Sequence, residues 1–127
     1  MERAVEVFAA VSFLVIGLSH VAQPRAWVEF FVWLRGRGHA GVFVNGFLSL
    51  NFGALIVAFH DVWTGPAVVL TLIGWAQVAK ALLSFVVPSV GLRSLERVSP
   101  DRSGEFVGAG VVALGLSALC WYLALTR

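Results

Sequence analysis

The chain has 127 residues, of which 59% are hydrophobic and 13% are charged, and its formal net charge at pH 7 is +2. Its mean hydropathy of +0.89 excludes an ordinary soluble globular domain and indicates a protein whose main solvent is lipid. The net charge is small and no basic patch is interleaved with aromatic residues, so we expect no nucleic-acid partner.

The apolar residues fall into four runs, each close to the roughly 20 residues that a helix needs to cross the hydrocarbon of a bilayer. These runs predict transmembrane helices over residues 4–22, 40–59, 66–87 and 105–125. Because they use most of the chain, we expect one transmembrane domain over residues 1–127. The predicted fold class is all-α: an integral membrane four-helix bundle.

The first apolar run has a second interpretation, because Arg3 precedes it and small residues lie near its end, as in a secretory signal peptide. Val21-Ala22-Gln23 is a poor cleavage sequence, however. The run is therefore interpreted as a helix that ends before Pro24, which cannot continue the hydrogen bonding of the preceding turn.

Residues 24–35 are too few to cross a bilayer. Pro24 suits the first position of a helix, and Arg25 and Glu29 form an i,i+4 pair on one side. Aromatic and aliphatic residues cover the other sides: Trp27, Phe30, Phe31, Trp33 and Leu34. This pattern predicts a short amphipathic helix in the membrane interface between the first two transmembrane helices.

The arginines predict the orientation in the membrane. Arg25, Arg35 and Arg37 follow the first apolar run, and Arg93, Arg97 and Arg102 follow the third, whereas the turn between the second and third runs has neither Lys nor Arg. The positive-inside rule then places loops 23–39 and 88–104 in the cytoplasm and both termini outside, as in a bacterial-type inner membrane. Within the second loop, LRSLERV is expected to form one or two amphipathic turns.

A weak internal repeat appears when the chain is shifted by 64 residues, which lays Pro24 on Pro88 and Gly46 on Gly110. An apolar helix precedes each proline and a helix rich in small residues follows it. Such a repeat would give two parallel halves, as in some transporters. Loops of similar length produce matches of this kind by chance, so the repeat carries little weight on its own.

Lys80 is the most informative polar residue, because it lies in the third apolar run about 12 Å from Pro88 at 1.5 Å per residue, and charged side chains are costly inside a membrane. Gln77, Lys80 and Ser84 share one helical face by their spacing, and Asn45 and Ser49 share a face of the preceding helix. If these faces meet, they form a polar site in the cytoplasmic half of the protein.

The predicted ligand-binding residues are therefore Lys80, Gln77, Ser84, Asn45, Ser49 and Asn51. No carboxylate is expected at the depth of Lys80, so a counter-charge would come from a ligand or from the rim, where Glu29, Glu96 and Glu105 lie. Two alternatives remain open. Lys80 can extend its stem toward the headgroups, and the amides of Asn45 and Gln77 can serve as hydrogen bonds between helices.

His20 and His39 bound the same predicted loop and are the candidates for haem ligation. The spacings typical of metal sites are absent, and His60 is expected on the opposite side of the membrane, so we favour histidines that lie at the membrane interface. Cys120 has no partner cysteine and is interpreted as a small buried apolar residue.

Three functions are considered. The first is binding or transport of a small anionic or amphipathic ligand, such as a lipid headgroup, a quinone-like molecule or an anion. The second is a structural or accessory membrane subunit, and the third is a haem-binding redox subunit. No catalytic constellation is recognisable, so enzymatic activity is not expected. We expect membrane lipids as partners, no cofactor unless the haem hypothesis holds, and a homo-oligomer or a larger membrane partner.

Overall fold

The structure is a computed structural model that describes all residues 1–127. It is all-helical, with 87% of residues in helices and no strands. The helices are α1 (Glu2–Ala22), α2 (Pro24–Gly36), α3 (His39–Phe59), α4 (Val68–Val86), α5 (Pro88–Glu96) and α6 (Ser103–Thr126). A short 3-10 turn over Pro100–Arg102 precedes α6. Four helices, α1, α3, α4 and α6, are long and apolar enough to cross a membrane.

The two short helices each follow a long helix after a single residue, and each begins at a proline. Pro24 opens α2 and Pro88 opens α5. Proline has no amide hydrogen to lose and its fixed φ is helical, so it ends the preceding helix and starts the next one. As a result, α5 is a nine-residue helix that starts before the LRSLERV stretch in which turns were expected.

The long helices pack as two antiparallel pairs, α1 with α6 and α3 with α4. Small residues make this close packing possible. A Cβ atom on Gly17 of α1 would lie 3.0 Å from the carbonyl oxygen of Gly110 of α6, a distance tighter than side chains normally accept. Glycine at these crossings lets the two backbones approach each other directly.

The two pairs make equivalent contacts. Two contacts of the α3–α4 pair have equivalents in the α6–α1 pair after the 64-residue shift. Gly46 contacts Ser84, and the equivalent residues Gly110 and His20 are also in contact. Gly53 contacts Gly74, and the equivalent residues Ser117 and Ala10 are joined by a hydrogen bond. The two halves of the chain, α1–α2–α3 and α4–α5–α6, therefore share an order of helices and a pattern of contacts.

The two ends of the molecule differ. At one end α2 and α5 pack together around Leu34, Val42 and Leu95, and the Arg35 guanidinium donates to the carbonyl oxygen of Val98 at 2.9 Å. We call this the α2/α5 end. The opposite end, called the terminal end, holds both chain termini and the turn between α3 and α4. There, Arg3 donates to the carbonyl oxygen of Ala124 at 3.1 Å.

Candidate functional site

Three of the six predicted ligand-binding residues line one cleft near the α2/α5 end. Asn45 of α3 and Lys80 and Ser84 of α4 border a cavity of about 200 Å³, which we call the Lys80 cleft. Its remaining walls come from the end of α4 and from α5: Leu83, Val90, Gly91 and Ser94. The polar faces of α3 and α4 thus meet, and α5 closes the cleft on its third side.

Gly91 lines this cleft and was not among the predicted site residues. The equivalent position in the first half of the chain is Trp27, whose indole stacks on His20 with ring centroids 4.1 Å apart and donates to the Ser19 hydroxyl at 2.9 Å. That side chain fills the space beside α1. At Gly91 a Cβ atom would lie 2.6 Å from a methyl group of Val42, so Val42 occupies the corresponding space and glycine lets α5 approach α3 closely.

Lys80 has no charged partner within the chain. Its side chain is exposed, and no carboxylate oxygen lies within 4.0 Å of its ammonium nitrogen. Glu105 at the rim pairs instead with Arg97, at 3.5 Å, and Glu29 and Glu96 form no ion pair. The rim carboxylates that were considered as counter-charges therefore do not neutralise Lys80.

The other three predicted residues do not line the Lys80 cleft. Gln77 is half-buried, and its Cβ packs against Gly53. Ser49 is buried, whereas Asn51 is exposed and donates to the carbonyl oxygen of Phe47 on its own helix at 2.8 Å. The polar cleft is thus smaller than the predicted site.

The two candidate haem ligands lie in different surroundings. The ring of His20 stacks between Trp27 and Phe106, and its Nδ1 donates to the carbonyl oxygen of Ile16 at 2.8 Å. His39 is the exposed first residue of α3. No group of three or more His, Cys, Asp or Glu side chains is arranged to hold a metal ion.

A wider cleft of about 470 Å³ opens beside His20, between α1, α2 and the segment that leads into α6. Arg97, Arg102 and Glu105 contribute its charged groups. Arg97 and Glu105 form an exposed ion pair within this cleft, so Glu105 partly neutralises Arg97. Arg102, the other cation of this cleft, forms no ion pair.

A buried polar cluster at the terminal end was missed by the sequence analysis. The side chains of Glu6 and His60 are both fully buried, and Nε2 of His60 lies 3.1 Å from Oε2 of Glu6. The Arg127 guanidinium donates two hydrogen bonds of 2.7 Å to the two oxygens of Glu6. On the other side of the imidazole, Nδ1 lies 3.0 Å from the hydroxyl oxygen of Thr71. We call these four residues the terminal cluster.

Every buried side-chain nitrogen and oxygen of the terminal cluster has a hydrogen-bond partner within the protein. The Thr71 hydroxyl donates to the carbonyl oxygen of Val62 at 2.7 Å. The pKa of Arg127 lies above its ordinary value, because its hydrogen bonds with the Glu6 carboxylate favour the charged guanidinium. Fully satisfied ionic groups of this kind rigidify the elements they join.

His60 was expected to lie at the membrane interface opposite His20 and His39; it follows the last residue of α3, and its side chain is buried among the helices at the terminal end. One signal in the sequence was available. The predicted topology already placed Glu6, His60 and Arg127 at the same end of the protein, and Glu6 lies more than one turn inside an apolar helix. The spacings of 54 and 121 residues between them match no local motif, so the contact itself was not evident.

No protein-family model, curated protein or solved structure matches this chain.

Proposed function

We propose that this chain is a multi-pass membrane protein that binds a small anionic group in the Lys80 cleft. The observation that supports the proposal is the state of Lys80, the only lysine of the sequence: an ammonium on a spanning helix, without a carboxylate partner, beside the side chains of Asn45 and Ser84. Intramembrane cations without a protein counter-charge are typical of ligand or ion sites.

The proposed arrangement in the membrane follows the arginines. The α2/α5 end carries most of them and faces the cytoplasm of a bacterial-type inner membrane, with α2 and α5 lying in the interface and both termini outside. The four long helices form one bundle, and the Lys80 cleft opens in its cytoplasmic half. Lipid headgroups of the inner leaflet then lie close to the cleft.

The size of the cleft favours a small ligand group. Drug-sized ligands occupy pockets of roughly 300–1,000 Å³, and the Lys80 cleft holds about 200 Å³. A phosphate or carboxylate fits this volume, whereas a whole quinone ring with its tail does not. The best-supported ligand is therefore the phosphate of an anionic amphiphile, with the apolar part outside the cleft among the surrounding lipid.

The test measures lipid retention. The protein is purified from nanodiscs that contain equal amounts of phosphatidylglycerol and phosphatidylcholine, and the retained lipids are counted by native mass spectrometry. A hydrogen bond with a charged group contributes about 1.5–3 kcal/mol, so we expect Lys80→Met to weaken phosphatidylglycerol binding by roughly 10–100-fold. Lys80→Arg keeps the positive charge and should retain most of the binding.

A matched control is Asn51→Ala, because Asn51 lies on α3 outside the cleft and bonds only to its own helix. It should retain lipid as the native protein does. Competition with inorganic phosphate distinguishes a site for free anions from a site for lipid headgroups. Equal lipid retention by the native protein and Lys80→Met would refute the proposal.

The second candidate is a structural or accessory role, and one observation favours it. A Cβ atom on Gly104, Gly108 or Gly115 of α6 would have nothing within 4 Å, so this helix presents small residues that no other part of the chain covers. In that case Lys80 extends its stem toward the headgroups and binds nothing. Analytical ultracentrifugation in detergent tests the predicted homo-oligomer, and Gly108→Leu should weaken it if this face is used.

The haem hypothesis remains the third candidate, with no contact in its favour. An absorption spectrum of the purified protein tests it directly, because haem bound through His20 or His39 would give a Soret band.

A further inference from the structure

We propose that the anionic ligand of this protein is a lipid with two phosphate groups, of the cardiolipin type, whose phosphates bind in two adjoining clefts at the α2/α5 end. The inference rests on the proposed function, because it takes the Lys80 cleft as the site of the first phosphate. The site of the second is the wider cleft of about 470 Å³ beside His20, which we call the His20 cleft and whose charged groups are Arg97, Arg102 and Glu105.

The two clefts share a wall on α5. Gly91 lines the Lys80 cleft, Ser94 lines both clefts and Arg97 lines the His20 cleft. These three residues follow one another at three-residue spacing, so each lies about 4.5 Å further along the helix axis than the one before. A glycerol bridge can join two phosphates across this offset, because Lys80 and Arg102 both have long, exposed side chains that reach toward the ligand.

Each cleft contains one cation that no carboxylate neutralises. Lys80 has no ion pair within the chain. Arg102 has none either, and the one carboxylate of its cleft, that of Glu105, pairs with Arg97. Asp101, next to Arg102 in the chain, lines neither cleft. A lipid with one phosphate would neutralise one of the two free cations, whereas a lipid with two phosphates would neutralise both.

The cationic surface continues beyond the His20 cleft. A neighbouring cavity of about 370 Å³ is lined by polar and charged residues alone: Arg93, Glu96, Arg97, Ser99 and Arg102. Arg97 and Arg102 therefore lie between this cavity and the His20 cleft. Basic pockets between helices on the cytoplasmic side of a membrane are typical binding sites for the headgroup of cardiolipin.

Apolar surface for acyl chains adjoins both clefts. Leu83 and Val90 line the Lys80 cleft and are exposed. In the His20 cleft, the rings of Phe31 and Phe106 stack with their centroids 5.6 Å apart. A lipid bound through both phosphates would thus have apolar contacts beside each of them, which a soluble diphosphate could not use.

The test compares two anionic lipids at equal phosphate content. The full-length protein is purified from nanodiscs that contain one cardiolipin for every two phosphatidylglycerol molecules, and the retained lipids are counted by native mass spectrometry. We expect one cardiolipin per chain and a preference for it of roughly 10-fold, because a second charged hydrogen bond forms. Retention of two phosphatidylglycerol molecules per chain, without a preference for cardiolipin, would overturn the inference.

The variant Arg102→Gln separates the second phosphate from the first. It should lose the preference for cardiolipin but retain phosphatidylglycerol as the native protein does, because the Lys80 cleft is intact. Lys80→Met should lose both lipids. If Arg102→Gln keeps the full preference while Lys80→Met loses phosphatidylglycerol, the present inference is wrong and the proposed function stands. Unchanged phosphatidylglycerol retention by Lys80→Met would overturn the proposed function, and this inference with it.

Arg25→Gln is the matched control, since Arg25 is an exposed arginine of α2 that lines neither cleft. It should keep the preference for cardiolipin. Equal losses in the two arginine variants would indicate a general attraction of anionic lipid to positive charge and would overturn the inference.

Inorganic pyrophosphate distinguishes a lipid from a soluble diphosphate. It has no acyl chains, so it should not displace cardiolipin from the native protein at equal concentration. Displacement under these conditions would assign the two clefts to a soluble diphosphate and would overturn the inference.

Discussion

Gly53 of α3 and Gly74 of α4 face each other so closely that a Cβ atom on Gly53 would lie 2.8 Å from the carbonyl oxygen of Gly74. The Cβ atom would also lie close to the backbone nitrogen of Val78, and backbone atoms cannot move to another rotamer as a side chain can. Gly53→Ala should therefore lower the free energy of unfolding by about 1–3 kcal/mol, the usual cost of overpacking. Titration with SDS in mixed micelles measures this change.

The control for this substitution is Gly115→Ala on α6, where the added methyl group meets nothing within 4 Å. Its stability should equal or exceed that of the native protein, because alanine restricts the unfolded chain more than glycine does. Similar losses for the two variants would show that α3 and α4 are not in direct contact at Gly53.

Removing the carboxylate of the terminal cluster is expected to be more costly than removing an exposed one. Glu6→Ala leaves the buried His60 without an acceptor for Nε2 and frees Arg127. Breaking a buried ion pair costs about 3–5 kcal/mol, and we expect the low end because Arg127 can turn to water. The same SDS titration checks this value.

Glu2→Ala is the matched control, because Glu2 also lies in the first turn and a half of α1 but pairs only with the exposed amino terminus. Such surface pairs contribute about 0–1 kcal/mol. If the two glutamate variants lose equal stability, the Glu6 contacts do not hold the helix pairs together.

Ser117 is the only side chain of α6 that donates a hydrogen bond to the backbone of α1. Its hydroxyl donates to the carbonyl oxygen of Ala10 at 2.7 Å. Ser117→Ala should cost about 0.6 kcal/mol and at most about 1.7 kcal/mol, the range measured for hydrogen bonds between transmembrane helices. Thr126→Ala, whose hydroxyl bonds only within its own helix, should change the unfolding midpoint less.

Gly91 offers a test of the Lys80 cleft that leaves its charge in place. In Gly91→Ala the added methyl group lies 2.6 Å from a methyl group of Val42, which must shift, and 3.7 Å from the Ser84 hydroxyl. The clash with Val42 displaces α5 and with it one wall of the cleft, so phosphatidylglycerol retention should fall several-fold. Gly36→Ala, at the open end of α2, should leave retention unchanged, and any fall there would point to a general loss of structure.

Much of the architecture follows from local sequence. The lengths of the four apolar runs are set by the thickness of a bilayer, so the long helices could be placed to within two residues of their ends in the structure. Pro24 marked the start of α2 by a rule that applies equally to Pro88. The extent of α5 was nevertheless underestimated, because its polar residues were interpreted as a loop.

The candidate sites depend on contacts that local sequence does not encode. Spacing alone placed Lys80 and Ser84 on one face of α4, but the crossing of α3 decides that Asn45 joins them and Asn51 does not. The same limit explains why the burial of His60 was not predicted. Its partner Glu6 lies on another helix, and only the packing of the two pairs brings them together.

The bond between Arg3 and the carbonyl oxygen of Ala124 means that the start and the end of this chain are neighbours in space. A circular permutant is therefore feasible, in which a short linker joins Arg127 to Met1 and translation begins at Gly65, in the exposed turn before α4. The halves would then be synthesised in reverse order while every crossing of the bilayer kept its direction, so the permutant should insert and assemble like the parent protein.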